Sequence, residues 1–537
     1  MDRTAEVVVV GAGPSGLACA IELGRRGRSV LVLERADRSG RSPRAKTTHT
    51  RTREHLRRWG IADDLAAASP LGIDYPANVL FVTSLAGQLI ARFEGVLNCS
   101  PRRDDRYSEH SQWIPQYKLE SVLLAHARTL PSVRIEFGEG LVDLDQDSEG
   151  VVARSTVATT GVEQRTACRF LVGADGAGST VRGLIGATMI GTHGLSNNYN
   201  VIFRAPGLAD AHSHGPGIMY WQLNSEAPSL VGPMDVPDVW YFMPTGMPAD
   251  ATFTDEEMAA LLRRATGLDL EVEVLSSDSW TASRLLADHY SAGNVFLVGD
   301  ACHLHPPFGG FGMNMGVSDG VDLAWKIAAT LQGWGGHTLL ASYESERRGA
   351  HQHAMDEAEA NHALNPSGLY RTGMEDDTPD GAAARATAAS VIEESKRAEF
   401  YALGVVLGFS CVGSPVIVDD GTGADWRPAR DYVPSATPGC LAPHRWLADG
   451  RSLYDLFGDD LTLLVLAPGH DDDVRRATDD AAATSTPLAV VDLADEALAT
   501  LYGAELALIR PDQVVAFRGD RWPGAGLLDV VCGRPLD

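Results

Sequence analysis

The sequence predicts an α/β protein with three parts: a parallel-sheet domain, an antiparallel β-sheet region and a C-terminal α/β domain. Three observations support this prediction. A strand–turn–helix–strand pattern opens the chain, β-rich runs with turn signals fill residues 190–280, and strand-like and helical stretches alternate again beyond residue 410. The length agrees, because 537 residues are typical of about two to four domains.

The composition is that of a globular protein with an acidic surface. Hydrophobic residues make up 44% and charged residues 22%, and the formal net charge is −26. Because such a surface repels phosphates, we expect neither a nucleic acid nor an anionic membrane as a partner. The seven cysteines form no CxxC motif and no Cys/His cluster, which argues against disulfides and a zinc site and favours a reducing cytoplasm.

Two segments bear on targeting. The N-terminal residues lead directly into an apolar strand and leave no room for a signal peptide. Residues 401–418 carry no charge, but their glycines, Ser414 and Pro415 would break a membrane helix, which needs about 20 apolar residues. We therefore expect a buried turn-and-strand segment there and a cytoplasmic protein.

The first motif is a dinucleotide-binding fingerprint. A β-branched run, EVVVV, is followed by GAGPSG, a helical stretch and a second strand that ends at Glu34. Gly11 permits the tight turn, Gly13 lets the backbone approach a pyrophosphate, and Gly16 lets the helix pack on the strand. The helix N-terminus offers N–H groups to phosphates, and Glu34 can accept hydrogen bonds from a ribose. This motif alone does not distinguish NAD from FAD.

Further segments help to distinguish between NAD and FAD. Pro43-Arg44-Ala45 precedes a helix, residues 168–182 read CRFLVGADGAGSTVR, and residues 295–326 hold a strand, a Pro-Gly loop and a long helix predicted to begin near Asn314. Together these segments resemble the class A flavoprotein aromatic hydroxylases, the group of p-hydroxybenzoate hydroxylase and phenol hydroxylase. The CHLHPP sequence and WIPQYKLE at residues 113–120 are most similar to the 2,4-dichlorophenol 6-monooxygenase and polyketide hydroxylase branch.

The resemblance implies a Rossmann-like domain with non-covalent FAD, NADPH or NADH as co-substrate, and O2. The residues that it assigns to the cofactor are Gly11, Gly13, Ser15, Gly16, Glu34, Arg35, Arg44, Gln116, Asp175, Asp300, Pro307, Gly310, Gly312, Met313 and Asn314. Asp175 with Gly176 would serve both FAD and NAD(P)H. One departure from the family pattern is Asp322, which stands where related sequences usually carry Asn.

The physical chemistry agrees with a flavin at the third segment. Backbone N–H groups of Met313 and Asn314, at a helix N-terminus, can stabilise the negative charge of a reduced flavin. The nearby glycines let the loop lie flat against a ring. His303 and His305 suggest a metal, but no third ligand lies close to them in sequence, so we expect no metal site.

The resemblance implies that residues 73–101 and 190–280 form an antiparallel sheet inserted into the FAD-binding domain, and that the substrate binds against this sheet. Its aromatic residues are candidate pocket walls, and alternation along a strand allows at most half of them to face one pocket. These residues are Tyr220, Trp221, Trp240, Tyr241 and Phe242. Lys46 and Tyr220 are the candidate catalytic residues, as general bases that remove a phenol proton.

The predicted domains are as follows. The FAD-binding domain comprises residues 1–72, 102–189 and 281–400, the substrate-binding β-sheet domain residues 73–101 and 190–280, and the C-terminal domain residues 410–537. The last resembles the thioredoxin-like domain of phenol hydroxylase relatives. Since it has no CxxC, thiol–disulfide exchange is excluded, and a scaffold or dimerisation role, with a homodimer as one option, is expected.

The main functional hypothesis is an FAD-dependent, NAD(P)H-consuming monooxygenase that hydroxylates a phenolic or polyketide-derived small aromatic molecule through a flavin C4a-hydroperoxide. A Baeyer–Villiger or epoxidising enzyme of the same fold, and a flavin dehydrogenase or flavin-binding regulator without oxygen insertion, remain open as alternatives. A flavin halogenase is disfavoured, because His110 and Gln112 stand where its WxWxIP motif carries tryptophans.

Overall fold

The computed structural model describes residues 3–37, 45–248, 252–362, 366–423 and 429–535. Its strands are β1 (Arg3–Thr4), β2 (Val7–Val10), β3 (Val30–Glu34), β4 (Thr47–Thr48), β5 (Val79–Val82), β6 (Leu89–Phe93), β7 (Gln112–Trp113), β8 (Val133–Phe137), β9 (Glu139–Gln146), β10 (Val151–Val157), β11 (Glu163–Cys168), β12 (Phe170–Gly173), β13 (Met189–Arg204), β14 (Met219–Gln222), β15 (Ser229–Asp235), β16 (Val239–Pro244), β17 (Glu273–Ala287), β18 (Ser291–Ala292), β19 (Val295–Leu297), β20 (His303–Leu304), β21 (Leu461–Val465), β22 (Leu488–Asp492), β23 (Leu506–Ile509) and β24 (Val515–Gly519). Its α-helices are α1 (Pro14–Arg25), α2 (Thr50–Arg58), α3 (Ala62–Ala67), α4 (Gln116–Ala127), α5 (Thr180–Leu184), α6 (Asp255–Thr266), α7 (Phe311–Gln332), α8 (His337–His362), α9 (Pro366–Leu369), α10 (Pro379–Phe400), α11 (Leu403–Leu407), α12 (Asp471–Ala483), α13 (Glu496–Tyr502) and α14 (Gly526–Val531).

A six-stranded sheet forms the first domain, in the order β18-β19-β12-β2-β3-β8. All its neighbouring strands pair in parallel except β18 with β19. The four valines of β2 are buried, as expected for a central parallel strand covered on both faces. One core joins this sheet to α1 and α7 and to a four-stranded sheet of order β1-β11-β10-β9. Helix α7 begins at Phe311, three residues before the predicted start.

An eight-stranded sheet, ordered β20-β17-β13-β16-β15-β14-β5-β6, lies beside this domain. Its pairs are antiparallel except β14 with β5, which run parallel. Strands β5 and β6 join a sheet whose other members all begin at Met189 or later in the chain. Aromatic and aliphatic side chains cover both faces of this sheet: α6 packs on one face, and α10 packs near its β6 edge.

The C-terminal part holds a mixed four-stranded sheet, β22-β21-β23-β24, whose core includes Trp325 and Trp334 from the end of α7 and just beyond it. The prediction of a strand within residues 401–418 is wrong. That segment, which is fully described, forms α11 and turns, with one bridging pair between Ser410 and Cys440. Pro415 has no N–H for a ladder, and Ile417 instead closes a turn onto Ser414.

The predicted mixed α/β architecture with several sheets is confirmed. Across the described ranges, no helix combines the length and apolar character needed to cross a bilayer.

Candidate active site

The glycine-rich turn between β2 and α1 has two crowded positions and one open one. A Cβ atom at Gly11, whose φ is +108°, would overlap the carbonyl oxygen of Ala174, and one at Gly16 would overlap that of Gly11. Both glycines are therefore required by close packing. At Gly13 no atom lies within 4 Å of the Cβ position, so this side of the turn is open to a ligand. The arrangement fits a bound pyrophosphate at the N-terminus of α1.

Glu34 lies at the end of β3, beside this turn. Its carboxylate accepts hydrogen bonds from the backbone N–H groups of Ala12 (2.8 Å) and Ala36 (2.9 Å). These bonds fix a negative charge where the predicted ribose contact requires it. Arg35 follows directly and is exposed.

The second and third segments meet at the same edge of the parallel sheet. Asp175, just after β12, accepts hydrogen bonds from Ser179 Oγ (2.5 Å) and from the backbone N–H of Thr180 (2.7 Å), so it holds the start of α5. Arg182 donates to the carbonyl of Ala301 (3.0 Å), which ties α5 to the turn that contains Asp300.

Ser15 connects this turn to the first motif. Its Oγ fills the space that a Cβ at Gly299 or at Gly316 would need, so α1, the 299–301 turn and α7 pack without a gap. Three segments far apart in sequence thus converge at the carboxyl ends of β2, β12 and β19, where ligands bind in open α/β sheets.

The segment that follows Pro307 forms a glycine-rich loop and the start of α7. Gly309 and Gly310 have φ values of +80° and +69°, which favour glycine. At Gly312 the nearest atom to a Cβ would be His305 Cβ at 3.7 Å, so the loop surface stays open there. Met313 packs against the α1–α4 core.

The Asn314 side chain holds this loop rather than facing a ligand. Its Oδ1 accepts from His49 N (2.8 Å) and Thr52 Oγ1 (2.7 Å), and its Nδ2 donates to the carbonyls of Thr47 (3.0 Å) and Gly310 (2.8 Å). All four hydrogen-bonding positions of the amide are satisfied. Asn314 therefore fixes the N-terminus of α7 to the segment that runs from β4 into α2.

Gln116 lies next to that segment. Its Oε1 accepts from Ala45 N (3.2 Å), and its Nε2 donates to Glu120 (2.8 Å). Arg44, the predicted pyrophosphate contact, lies outside the described residues.

Lys46 lies between this loop region and the eight-stranded sheet. Its Nζ is 4.4 Å from the ring centre of Tyr241, and the next residue, Thr47, is bonded to Asn314. Within the described part of the chain, burial alone lowers the pKa of Lys46 to about 8. Trp113, which pairs with Thr47, contacts Tyr241 with ring centres 6.2 Å apart.

Tyr220 is not brought together with Lys46. It belongs to the core on the α6 side of the sheet, and its hydroxyl donates to the carbonyl of Gly215 (2.6 Å). Its neighbour Trp221 faces the opposite side, where it contacts Phe308 of the glycine-rich loop with ring centres 6.3 Å apart. Alternation divides the other aromatic candidates in the same way, with Tyr241 on the Trp221 side and Trp240 and Phe242 on the Tyr220 side.

Two buried charged groups near the loop were not predicted. Asp319 binds His303 (2.8 Å), His351 (2.8 Å) and Arg347 (2.7 Å). Although burial by itself would raise its pKa, His351 and Arg347 hold the pKa of Asp319 well below the usual value. The sequence did not indicate this cluster, because the spacing between His303 and Asp319 matches no known motif.

Lys396 of α10 is the second such group. Its Nζ lies 4.2 Å from the Trp221 ring centre and pairs with Glu399 (2.8 Å). In the sequence this lysine belongs to an ordinary Ala/Glu-rich helix, so nothing singled it out.

Comparison with known proteins identifies the class. Residues 4–358 match the FAD binding domain family, and residues 435–535 match the aromatic-ring hydroxylase C-terminal family. The chain belongs to the FAD-dependent aromatic-ring hydroxylases. The resemblance found in the sequence is confirmed, as are the FAD cofactor, NAD(P)H and O2 as co-substrates and monooxygenase activity.

Relatives of known name support this assignment over the whole chain. Aklavinone 12-hydroxylase RdmE of Streptomyces purpurascens is 32% identical over 100% of this chain and 99% of its own, and phenol 2-monooxygenase of a Pseudomonas species is 29% identical over 98% and 92%. Among solved structures, the rebeccamycin biosynthetic enzyme RebC with reduced flavin is similar with a TM-score of 0.91 and 32% identity over 100% of both chains. Aklavinone-11 hydroxylase with FAD and aklavinone is similar with a TM-score of 0.82 and 29% identity, over 99% of this chain and 100% of that one.

Replacing Asp300 by alanine is expected to weaken FAD binding by about 10- to 150-fold, the range for a lost hydrogen bond to a charged group. At protein concentrations below its raised dissociation constant, the variant should lose FAD and its yellow colour on dialysis, whereas the same change at exposed Asp269 should leave the protein yellow. Flavin absorbance per protein chain measures this. Stoichiometric FAD in the Asp300 variant would remove this residue from the cofactor site.

Proposed function

We propose that this enzyme hydroxylates a phenolic, polyketide-type aromatic molecule that binds between the loop at Phe308–Asn314 and the Trp221–Tyr241 face of the eight-stranded sheet. The observation that carries this proposal is the position of Lys46. Its ammonium lies over the ring of Tyr241. The backbone carbonyl of the adjacent Thr47 accepts a hydrogen bond from the side chain of Asn314, which belongs to the loop segment. A group at this position lies between the proposed substrate face and the loop proposed to border the flavin.

In this proposal Lys46 removes the phenol proton. A pKa of about 8 leaves a substantial neutral amine fraction in mildly alkaline solution, which is what a general base near the working pH requires. The phenolate that results is more electron-rich than the phenol. Bound FAD, reduced by NAD(P)H, supplies the activation of dioxygen.

The apolar Trp221–Tyr241 face of the sheet orients the aromatic ring and excludes water. Trp221, Tyr241 and Ile218 lie in one buried cluster, with Phe308 and Trp113 packed against it. Such a surface suits a planar aromatic ligand. Relatives named for aklavinone hydroxylation, including one crystallised with aklavinone, support a polycyclic substrate.

We further propose that the glycine-rich turn, Glu34, Arg35, Arg44, Gln116, Asp175, Asp300 and the Pro307–Asn314 segment hold FAD. Tyr220 is not retained as a base, because its hydroxyl is bonded within the α6-side core.

A matched pair of substitutions tests where the substrate binds. Trp221→Leu and Trp240→Leu remove the same side chain from opposite faces of the sheet. A panel of phenols and aromatic polyketides is first screened by mass spectrometry for a compound that the enzyme hydroxylates. With that substrate, we expect KM to rise about tenfold or more for Trp221→Leu only, as for the loss of a central aromatic contact. Equal effects of the two substitutions on KM would contradict the proposed binding face.

A further inference from the structure

The turn that joins β23 to β24 in the C-terminal domain contains a residue in a conformation that favours glycine. Gln513 has φ +65° and is 2% exposed. A non-glycine residue in the left-handed region costs free energy and persists where the surroundings require it. The turn is closed by hydrogen bonds from Gln513 N to Arg510 O (2.8 Å) and from Arg510 N to Val514 O (2.9 Å).

The Gln513 side chain is directed at the FAD-binding domain. Its Oε1 accepts a hydrogen bond from Arg51 Nη1 (2.5 Å), and the carbonyl of the preceding Asp512 accepts one from Arg51 Nη2 (2.6 Å). Arg51 lies on α2 and is itself buried. Glycine at position 513 would relieve the backbone but could not supply the side-chain contact.

The same turn is anchored to α7 and α8. Arg510 donates to both carboxylate oxygens of Glu346 (2.8 Å each) and to Asp512. Glu346 also pairs with Lys326 of α7 (2.7 Å). These groups are buried, so the turn has little freedom to move relative to α7.

Helices α2 and α7 are the two elements that Asn314 joins at the glycine-rich loop. Thr52, one residue after Arg51, and His49 both donate to the Asn314 side chain. The C-terminal turn thus contacts α2 through Arg51, and it contacts α8 through Glu346, which pairs with Lys326 of α7. Helices α2 and α7 meet again at the loop expected to border the flavin.

We infer that Gln513 is a positioning residue through which the C-terminal domain sets the geometry of the flavin loop. It acts through Arg51 and α2 and touches neither cofactor nor substrate. The C-terminal domain, which lacks a CxxC motif, then serves to hold the flavin loop in place.

Two substitutions at this position separate side-chain contact from backbone strain. Gln513→Gly relieves the strained φ and removes the contact, whereas Gln513→Met keeps the strain and most of the volume but offers no oxygen acceptor. Ser485→Gly is the matched control, since Ser485 is also left-handed (φ +51°) in the same domain but is exposed at the end of α12.

The measurements use holoenzyme well below its unfolding temperature: the dissociation constant of FAD and the absorption spectrum of bound flavin. We expect both Gln513 variants to weaken FAD binding by about fivefold or more and to shift the flavin spectrum, as for a coupling between distinct sites. The Ser485 variant should match the wild type. Wild-type FAD affinity and spectrum in both Gln513 variants, even with a lowered melting temperature, would leave Gln513 a purely structural residue and overturn the inference.

Discussion

Replacing Lys46 by methionine is expected to lower kcat/KM by about two to four orders of magnitude, the range for loss of a general acid–base group. The same change should stabilise the folded protein near neutral pH. Burial lowers the pKa of Lys46 from 10.5 to about 8, so the folded state disfavours the charged form. Below pH 8 the ammonium is charged in both the folded and unfolded states, and its burial cost is then fully present; stability recovers as pH rises from about 8 towards 10.5. Removal of this charge should raise the free energy of unfolding by roughly 3 kcal/mol at most.

Steady-state kinetics as a function of pH and thermal unfolding at pH 7 check this prediction. The wild-type kcat/KM should rise with pH through about 8, and the methionine variant should lose that rise. Lys118→Met is the control, because Lys118 is only partly buried and is ion-paired with Asp235 (3.3 Å). If the Lys46 variant kept both the wild-type rate and the wild-type pH profile, Lys46 would not be the base.

Gly13→Ala and Gly16→Ala are expected to fail in different ways. Gly13 has φ −75° and ψ 179°, which alanine adopts freely, and its Cβ meets nothing within 4 Å. The fold should therefore be unchanged, whereas the methyl group would enter the open space in which the proposed site holds the pyrophosphate. We expect FAD affinity to fall by roughly 1 to 3 kcal/mol, or about 5- to 150-fold.

At Gly16 the methyl group would overlap the carbonyl of Gly11, so Gly16→Ala should destabilise the apoprotein itself by about 1 to 3 kcal/mol. FAD titration and thermal unfolding of both apoproteins separate the two effects. Wild-type FAD affinity in the Gly13 variant would mean that the cofactor does not approach this turn.

Sequence patterns predicted the local backbone geometry of the glycine-rich turn. Gly11, Gly13 and Gly16 have roles set by a turn of six residues, and the structure gives them two crowded positions and one open position as that geometry requires. Alternation also predicted that Tyr220 and Trp221 face opposite sides of a sheet. Which side faces the loop depends on contacts with Phe308, which lies more than 80 residues away and cannot be inferred from strand periodicity.

The rest depends on contacts between distant residues. The sequence predicted a flavin contact for the backbone N–H of Asn314, but it did not indicate that the Asn314 side chain makes four hydrogen bonds to neighbouring protein groups. Asp322, a departure from the family pattern, pairs with Lys326 (3.1 Å) and lies 3.4 Å from Arg510 of the C-terminal domain. Nothing in the local sequence around Asp322 or Gln513 indicates these partners. The ion pairs and hydrogen bonds between domains could therefore not be predicted from the sequence, because their partners are distant along the chain.

Product analysis after turnover in isotopically labelled dioxygen distinguishes aromatic hydroxylation from other fates of the oxygen. We expect one labelled oxygen atom per product molecule, carried as a hydroxyl group on the aromatic ring, with one NAD(P)H consumed per product. Label in a lactone or an epoxide would mean a different oxygenation on the same fold. Stoichiometric hydrogen peroxide with every aromatic substrate, and no labelled product, would contradict the assignment as a hydroxylase.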